Sequence, residues 1–524
     1  MNKKKLLFFS LVSISLLALS GCGFNTFFRF SESEINTIKS ESIEVISIDT
    51  GGDDKGYYQA NGTTCTYYDV GQHSLYMTYT GQTKGNFKTL VIPVAIKGYT
   101  ANASASVKNK INKAFFGTEE ETGWESVATY FKKSSYGKMT ISGEVTDWFN
   151  INLSPEEIYY KGTDNEDGGT YYVLEQAIAW AKNQGYNMSD YDVDGDGWID
   201  SVWLIYSCPN SVKIRDVSDD DNPFWAFTYW DYNYYDQTPT HENPLPNTYA
   251  WASYDFMNDG TSVGINIDAH TYIHEFGHVL GLDDYYDYDK EHSPLGCVDM
   301  QDYNVGDHNA FSKLAFGWVN PYVVTDECEI TLRPTALYGD CIILKNPSNP
   351  WSGSAFDEYL MIEFITQDSL WYQDSYVTYS NGIKCFTKYG IRLTHVNAKL
   401  ALIDARTNYV KSLTTNVSDG DYFSVAFSNT PSYSYNDGRR NEYGELLYSD
   451  LISIIPQNQS FATQRNSGQA VGNNALFTKG QSFSTSTFNS FFINNKLYDG
   501  TTIPFTMTVS ELNRSYAKIT FKRG

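Results

Sequence analysis

The residues with the clearest chemical potential form the run His274-Glu275-Phe276-Gly277-His278. On an α-helix, residues four positions apart lie on one face, so His274 and His278 can offer two imidazoles to one ion. Glu275 lies beside the first imidazole, where its carboxylate can reach a metal-bound water. Gly281 can end the helix because glycine tolerates a positive φ, and the returning chain can bring an acidic ligand to the ion. The pattern predicts a catalytic zinc site with three protein ligands and an open position for water.

The third ligand is predicted to be an aspartate just after the helix. Asp284 occupies the position at which enzymes with the H-E-x-x-H-x-x-G-x-x-H pattern place their third ligand. Asp283 and Asp287 are close competitors, and a glutamate on a later helix, as in thermolysin-like enzymes, is the rival arrangement. Further on, Met300 is a candidate for the methionine turn that lies under the metal in metzincins, although a lone methionine is more often a core residue.

A zinc ion at this place would make the chain a peptide hydrolase. Zinc lowers the pKa of bound water and polarises the scissile carbonyl, while Glu275 takes the proton and passes it to the leaving amine. A Ser-His-Asp alternative has no supporting G-x-S-x-G elbow in the sequence. His270, one turn before His274, is expected to pack beside the ligands rather than to join them.

A second candidate ion site lies within residues 190–200, where acidic side chains alternate with other residues. The aspartates fit positions 1, 3, 5 and 9 of a calcium loop, with Gly197 at the sharp turn. Trp203 stands where an EF-hand has its bidentate glutamate, so the loop is not a full EF-hand. A solvated acidic turn is the alternative, but the regular spacing favours a structural calcium ion. The candidate ligands are Asp192, Asp194, Asp196, Trp198 and Asp200.

Length and composition predict a chain of two folded domains plus a tail. The chain has 524 residues, which is too long for one ordinary domain, and 41% of them are hydrophobic, enough for real cores. The net charge of −24 argues against nucleic acid or anionic lipid as a partner. A protein or peptide substrate and a monomeric state are expected.

The first residues are predicted to be a targeting segment. Lys3, Lys4 and Lys5 precede a short apolar run, and Leu19-Ser20-Gly21-Cys22 then resembles the bacterial lipobox. Residues 1–21 would be a signal peptide, and Cys22 would be acylated and become the mature N-terminus. A plain secretory signal is the alternative. The lipoprotein interpretation predicts a protein at the bacterial cell surface, anchored to the membrane by lipid but not threaded through it.

The other cysteines are scattered along the chain. Six remain after Cys22, an even number in an oxidising compartment, and no two form a C-x-x-C pair. Disulfides are therefore possible, and Cys328 with Cys341 is the favoured local pair.

The chain is predicted to have an α+β fold in which a β-rich region follows the motif. Residues 22–87 are polar and indicate a tether or a short pro-segment. Residues 88–321 interleave strands, such as the apolar run 90–96, with helices, such as 268–281. Residues 322–524 contain short β-rich runs separated by turn residues, which predicts a β-sandwich-like domain.

Several segments together resemble the immune inhibitor A-type metallopeptidases of bacteria. The matching segments are residues 130–137, the aspartate-rich loop, residues 274–287 and residues 311–318, and the resemblance covers about 88–321. It implies a secreted zinc-dependent endopeptidase with a metzincin-like core and bound calcium. The family usually has proline in place of Asp283, and the segment before the core is short for the family's pro-region.

The leading hypothesis is therefore a surface-anchored zinc metalloendopeptidase with Glu275 as general base. The first alternative is a non-catalytic surface adhesin that uses its β-rich region for binding. The second is a zinc amidase that acts on cell-wall peptides. The intact set of His274, Glu275 and His278 favours an enzyme.

Overall fold

The computed structural model describes most of the chain. The described residues are 56–62, 64–69, 82–161, 169–218, 221–230, 238–379, 382–403, 410–415, 422–430, 449–459 and 470–524. The predicted signal segment and Cys22 lie outside these ranges. No helix within them is both long enough and apolar enough to span a lipid bilayer.

The structure is a mixed α+β fold, as the sequence predicts. The strands are β1 Gly56–Gly62, β2 Thr64–Asp69, β3 Gly85–Ala95, β4 Met139–Val145, β5 Phe149–Asn150, β6 Trp198–Ile199, β7 Val202–Tyr206, β8 Phe227–Trp230, β9 Leu245–Pro246, β10 Thr248–Ser253, β11 Tyr322–Leu332, β12 Cys341–Leu344, β13 Glu358–Ile365, β14 Gly390–Asn397, β15 Leu400–Ile403, β16 Val410–Thr414, β17 Tyr422–Val425, β18 Ile452–Ile454, β19 Ser482–Phe483, β20 Phe505–Leu512 and β21 Ala517–Arg523.

Helices occur mainly in the first half of the described chain. The α-helices are Ala105–Phe116, Glu119–Thr122, Val127–Ser134, Pro155–Lys161, Thr170–Gln184, His270–Val279, Met300–Tyr303, Ala310–Ala315, Thr335–Tyr338 and Trp371–Tyr376. The 3₁₀ helices are Thr100–Asn102, Met188–Tyr191, Tyr254–Val263, Asn473–Ala475, Asn489–Phe491 and Ile493–Asn495.

The region that carries the His-Glu-His motif is built on a six-stranded sheet. Its strand order is β4-β3-β7-β10-β8, with β5 also paired to β3. All pairings are parallel except that of β8, which runs antiparallel to β10 at the edge. Both faces of this sheet are covered. The sequence of β3 is therefore apolar over consecutive residues and does not alternate between apolar and polar. Phe87 and Val91 pack towards the helix His270–Val279, whereas Leu90 and Ile92 pack towards the helix Thr170–Gln184.

The C-terminal region contains a second, ten-stranded sheet. Its main path is β18-β14-β13-β12-β11-β21-β20-β19, and the strands β15, β16 and β17 form a separate small sheet. One face of the large sheet is covered by non-strand residues such as Phe488 and Phe492. The other face packs against the motif region through Tyr285 and Phe311. The region is thus β-rich, but the predicted sandwich is not confirmed, because the motif region covers the face where a second sheet would pack.

Part of the segment predicted to be a tether belongs to this large sheet. Strands β1 and β2 pair with each other, and β1 pairs in parallel with β11, so that Tyr58 lies opposite Tyr322. The region carrying the motif is therefore inserted between two neighbouring strands of the large sheet.

The predicted disulfide between Cys328 and Cys341 is wrong. Both thiols are free, as are those of Cys208, Cys297 and Cys385. Strands β11 and β12 are parallel with Tyr322 opposite Ile342, so Cys341 lies far from Cys328 along the strand direction. At about 3.3 Å per residue, their separation greatly exceeds the roughly 7 Å limit between Cα atoms that a disulfide can bridge.

Candidate metal centre

The helix His270–Val279 (the motif helix) places its polar side chains in a buried site. Its residues are buried almost without exception, and its apolar side chains, such as Ile273 and Phe276, anchor it to the core beneath the six-stranded sheet. Gly281 has a φ of 97°, which favours glycine, and its N–H donates to the carbonyl of His278. The chain turns back at this glycine, as the spacing of the motif predicts.

Three ligand-type side chains converge at this turn. The Nε2 atoms of His274 and His278 lie 3.1 Å apart. Oδ1 of Asp284 lies 3.0 Å from Nε2 of His274 and 3.3 Å from Nε2 of His278. Donor atoms about 2.1 Å from a tetrahedral zinc ion would be about 3.4 Å apart, so the observed spacing fits such an ion.

The hydrogen bonds of the two imidazoles determine which ring nitrogens face each other. Nδ1 of His274 lies 2.8 Å from the carbonyl oxygen of Met300, and Nδ1 of His278 lies 2.8 Å from that of Leu282. Because a carbonyl oxygen only accepts, each Nδ1 carries the proton, and in the neutral ring Nε2 has a free lone pair. Oδ1 of Asp284 also receives no hydrogen bond from any described residue. Three acceptors therefore point at one another, an arrangement that requires a cation.

The electrostatics of these residues agree with that conclusion. Although burial opposes it, the Asp284 carboxylate raises the pKa of His278 to about 10. Burial alone would raise the pKa of Asp284, but the imidazoles of His278 and His274 lower it below its ordinary range. A site that attracts a proton this strongly attracts a metal cation for the same reason.

The two competing aspartates lie outside this group. Asp283 is exposed, and its carboxylate accepts the N–H of Asp284 at 3.0 Å. The Asp287 carboxylate is buried and is held 2.8 Å from Nδ1 of His292, whose Nε2 lies 2.9 Å from Asp450. The structure brings only Asp284, of the three candidates, to the imidazole pair.

Glu275 is buried next to the imidazoles, and one of its oxygens is already engaged. The hydroxyl of Thr228, on the edge strand β8, lies 3.0 Å from Oε2 of Glu275 and 3.0 Å from its carbonyl oxygen. Burial raises the pKa of Glu275, and the nearby imidazoles of His278 and His274 oppose this rise. Sequence reasoning missed Thr228, since nothing in the sequence places β8 beside the motif helix.

Met300 contacts the site through its backbone carbonyl. Its side chain is buried in the core, and its carbonyl orients His274. The next residue, Gln301, donates to the carbonyl of His274 at 3.3 Å and lies 3.3 Å from Nε2 of His308. Gln301 was also missed, although its position directly after Met300 is the one signal that could have suggested it.

Two tyrosines that sequence reasoning did not single out adjoin the third candidate ligand. The hydroxyl of Tyr288 donates to Oδ2 of Asp284, and Tyr286 lies with its ring nearly parallel to that of His274, 6.4 Å away. Residue 288 is one helical turn's spacing from residue 284, but the chain here is irregular, so the contact could not be inferred from spacing.

The acidic loop brings three of its predicted ligands together. Carboxylate oxygens of Asp192, Asp194 and Asp196 lie within 4.8 Å of one another. Asp200 lies outside this group: its carboxylate accepts the N–H of Val193 at 2.8 Å, and burial raises its pKa to about 8. The carboxylates of Asp192, Asp194 and Asp196 also accept hydrogen bonds from backbone N–H groups of the loop. One of these N–H groups belongs to Trp198.

Two histidines four residues apart on one helix, with a glutamate beside the first, are typical of zinc metallopeptidases. Residues 107–297 match the family model described as the immune inhibitor A peptidase M6 catalytic domain. This match confirms, over residues 107–297, the resemblance to this metallopeptidase family that the sequence shows. The search of curated proteins found no match to the chain.

Proposed function

We propose that the protein is a zinc-dependent endopeptidase, anchored at the bacterial cell surface, with Glu275 as general base. The observation that carries the proposal is the convergence of three buried acceptors, from His274, His278 and Asp284, beside a buried carboxylate. The match to a peptidase catalytic domain supports the same chemistry. Nothing comparable supports the adhesin or amidase alternatives.

The side chains of the site suggest how hydrolysis would proceed. Zinc held by His274, His278 and Asp284 would supply a Lewis acid that acidifies water and polarises the peptide carbonyl. Glu275 would take the proton from water at Oε1, because Oε2 is engaged by Thr228. The same oxygen would then pass that proton to the leaving nitrogen. The new C–O bond would form as water attacks the carbonyl carbon, and the C–N bond would break once the nitrogen has received the proton, so that a carboxylic acid and an amine result.

The edge strand β8 supports an extended peptide as substrate. No described strand pairs with its outer side, and an extended peptide can add to such an edge through backbone hydrogen bonds. Thr228 lies on β8 and contacts Glu275, so a peptide bound along this edge would lie close to the general base.

Two further parts of the proposal rest mainly on the sequence. Acylation of Cys22 would tether the enzyme to the membrane, which leaves the catalytic region outside the cell. A structural calcium ion at Asp192, Asp194 and Asp196 stays a prediction, supported by the closeness of their carboxylates.

Replacement of the general base tests the proposal directly. Glu275→Gln keeps the shape of the side chain but cannot take a proton, so casein cleavage should fall by about 10²–10⁴-fold while zinc content is unchanged. Removal of zinc with a chelator should abolish cleavage in the native protein, and added zinc should restore it. Undiminished cleavage by Glu275→Gln, or a folded native protein that binds no zinc, would contradict the proposal.

A further inference from the structure

A buried carboxylate from the C-terminal region reaches the start of the motif helix. Asp374 lies on the helix Trp371–Tyr376, which follows β13, and is completely buried. Its Oδ2 accepts a hydrogen bond from the N–H of Gly306 at 2.5 Å. Its Oδ1 lies 3.4 Å from Nε2 of His270. Asp374 therefore contacts two separate elements of the region that carries the metal centre.

His270 is a buried cation held between two carboxylates. Its Nδ1 lies 2.7 Å from Asp268, and its ring stacks on Trp124 with centroids 3.8 Å apart. The hydroxyl of Tyr379 donates to Asp374 and lies 3.3 Å from Nε2 of His270. Although burial opposes it, Asp268 and Asp374 raise the pKa of His270 to about 10, so this imidazole is charged at neutral pH.

The two elements that Asp374 joins are the two that set the position of His274. His270 begins the motif helix one turn before His274. Gly306 belongs to the loop that continues from Met300, whose carbonyl fixes Nδ1 of His274. A shift of the helix relative to this loop would turn or displace the His274 ring, and Asp374 opposes that shift through both contacts.

The ring of Trp371 adds a steric restraint to the same loop. A Cβ atom at Gly306 would lie 2.8 Å from this ring, so the loop backbone is in close contact with the helix that carries Asp374. Arg392, on β14, lies over the Trp371 ring, 5.3 Å from its centroid. It also donates a hydrogen bond to the carbonyl of Val298 at 3.2 Å. The C-terminal region thus holds the loop at several points.

We propose that Asp374 is a positioning residue of the metal centre, which makes the C-terminal region a part of the catalytic unit and not a separate binding module. The inference rests on the proposed binding of zinc by His274, His278 and Asp284. Loss of a group that orients a metal ligand typically weakens metal binding by about 10–100-fold. Because Asp374 acts through His270 and Gly306, an effect of about 10-fold is expected.

The test compares two substitutions of the same type on one segment of the full chain. Asp374→Asn keeps the size of the side chain but removes the charge that faces His270. Asp368→Asn is the matched control, because Asp368 pairs at 2.5 Å with Arg514, a residue of the C-terminal region. Zinc affinity is measured by competition with a chromogenic chelator, and the absorption spectrum of the Co²⁺-loaded protein reports the ligand geometry.

Asp374→Asn should weaken zinc binding about 10-fold and alter the Co²⁺ spectrum, whereas Asp368→Asn should match the native protein. If Asp374→Asn does not fold, Tyr379→Phe is the second variant, since it removes the hydroxyl that binds Asp374 and lies 3.3 Å from Nε2 of His270. Native zinc affinity and a native Co²⁺ spectrum in the folded variant would overturn the inference. Failure of the native protein itself to bind zinc would instead refute the proposed function.

Discussion

At the scale of single residues, the two oxygens of Glu275 have different environments. The Thr228 hydroxyl binds Oε2, which in the proposed mechanism leaves Oε1 for water and the leaving group. A hydrogen bond to a carboxylate is worth about 1.5–3 kcal/mol, which corresponds to roughly 10–100-fold in rate when it acts on the transition state. We therefore expect Thr228 to contribute measurably to the orientation of the proposed base.

Thr228→Val removes the hydroxyl but keeps the branched shape of the side chain. We expect kcat for peptide cleavage to fall by about 10-fold or more, with KM and zinc affinity close to native values, because the hydroxyl contacts the carboxylate and carbonyl of Glu275 and neither candidate imidazole ligand. Thr228→Ser is the matched control and should retain most of the activity. Equal kcat values for the valine and serine variants would show that the hydroxyl does not orient Glu275.

At the scale of elements, the motif helix is fixed by a close contact at Gly277. A Cβ atom at this position would lie 2.2 Å from Oε1 of Gln301. The Gln301 side chain is fully buried and held by His308 and by the carbonyl of His274, so it cannot easily move aside. Glycine in the motif therefore has a packing role here, against its ordinary cost in a helix.

Gly277→Ala should consequently destabilise the protein, although alanine normally stabilises a helix by about 1 kcal/mol relative to glycine. Displacement of Gln301 from its two partners should lower the free energy of unfolding in urea by about 2 kcal/mol. In a double-mutant cycle, Gln301→Ala should remove most of the further loss caused by Gly277→Ala. Additive effects of the two substitutions would mean that the contact with Gln301 does not limit this position.

Much of the centre could be predicted because it depends on local spacing. His274 and His278 share a face through helical periodicity, and Gly281 turns the chain because of its positive φ. Strand β3 and the motif helix were likewise predicted within a few residues of their observed limits. Local rules could also rank Asp284 above its neighbours.

The rest depends on tertiary packing that one sequence does not reveal. Thr228 lies 47 residues before the base that it contacts, on a strand whose position beside the motif helix follows from the sheet order. The prediction of a β-sandwich for residues 322–524 did not include the packing of the motif region on one face of the large sheet. The free cysteines were misjudged because closeness in sequence says little about distance between parallel strands.

At the scale of the whole molecule, a cluster of buried apolar side chains joins the two regions. Tyr285 and Leu295, from the segment after the motif helix, pack with Ile343 and Met361 of the large sheet. Buried polar contacts cross the same boundary, since Glu363 accepts the N–H of Ala310 and pairs with a buried arginine of β14. From these contacts we infer that the regions on either side of residue 321 depend on each other for folding.

A fragment that ends at residue 321 should therefore fail to form the native centre. It would expose the apolar side chains around Tyr285 and leave the N–H groups of Gly306 and Ala310 without Asp374 and Glu363. We expect residues 82–321 alone to show no cooperative unfolding transition by circular dichroism and no tight zinc binding. The full chain expressed in parallel is the control, and a folded fragment with native zinc affinity would disprove the shared-core interpretation.

This common core has a consequence for the order of events during synthesis. The metal-binding side chains emerge from the ribosome well before the strands β12 to β14 that pack beneath their loop. A chain still being synthesised would thus carry these side chains without the packing that aligns them. The proposed peptidase activity would therefore arise only after the remaining strands of the large sheet have been made and have packed beneath the centre.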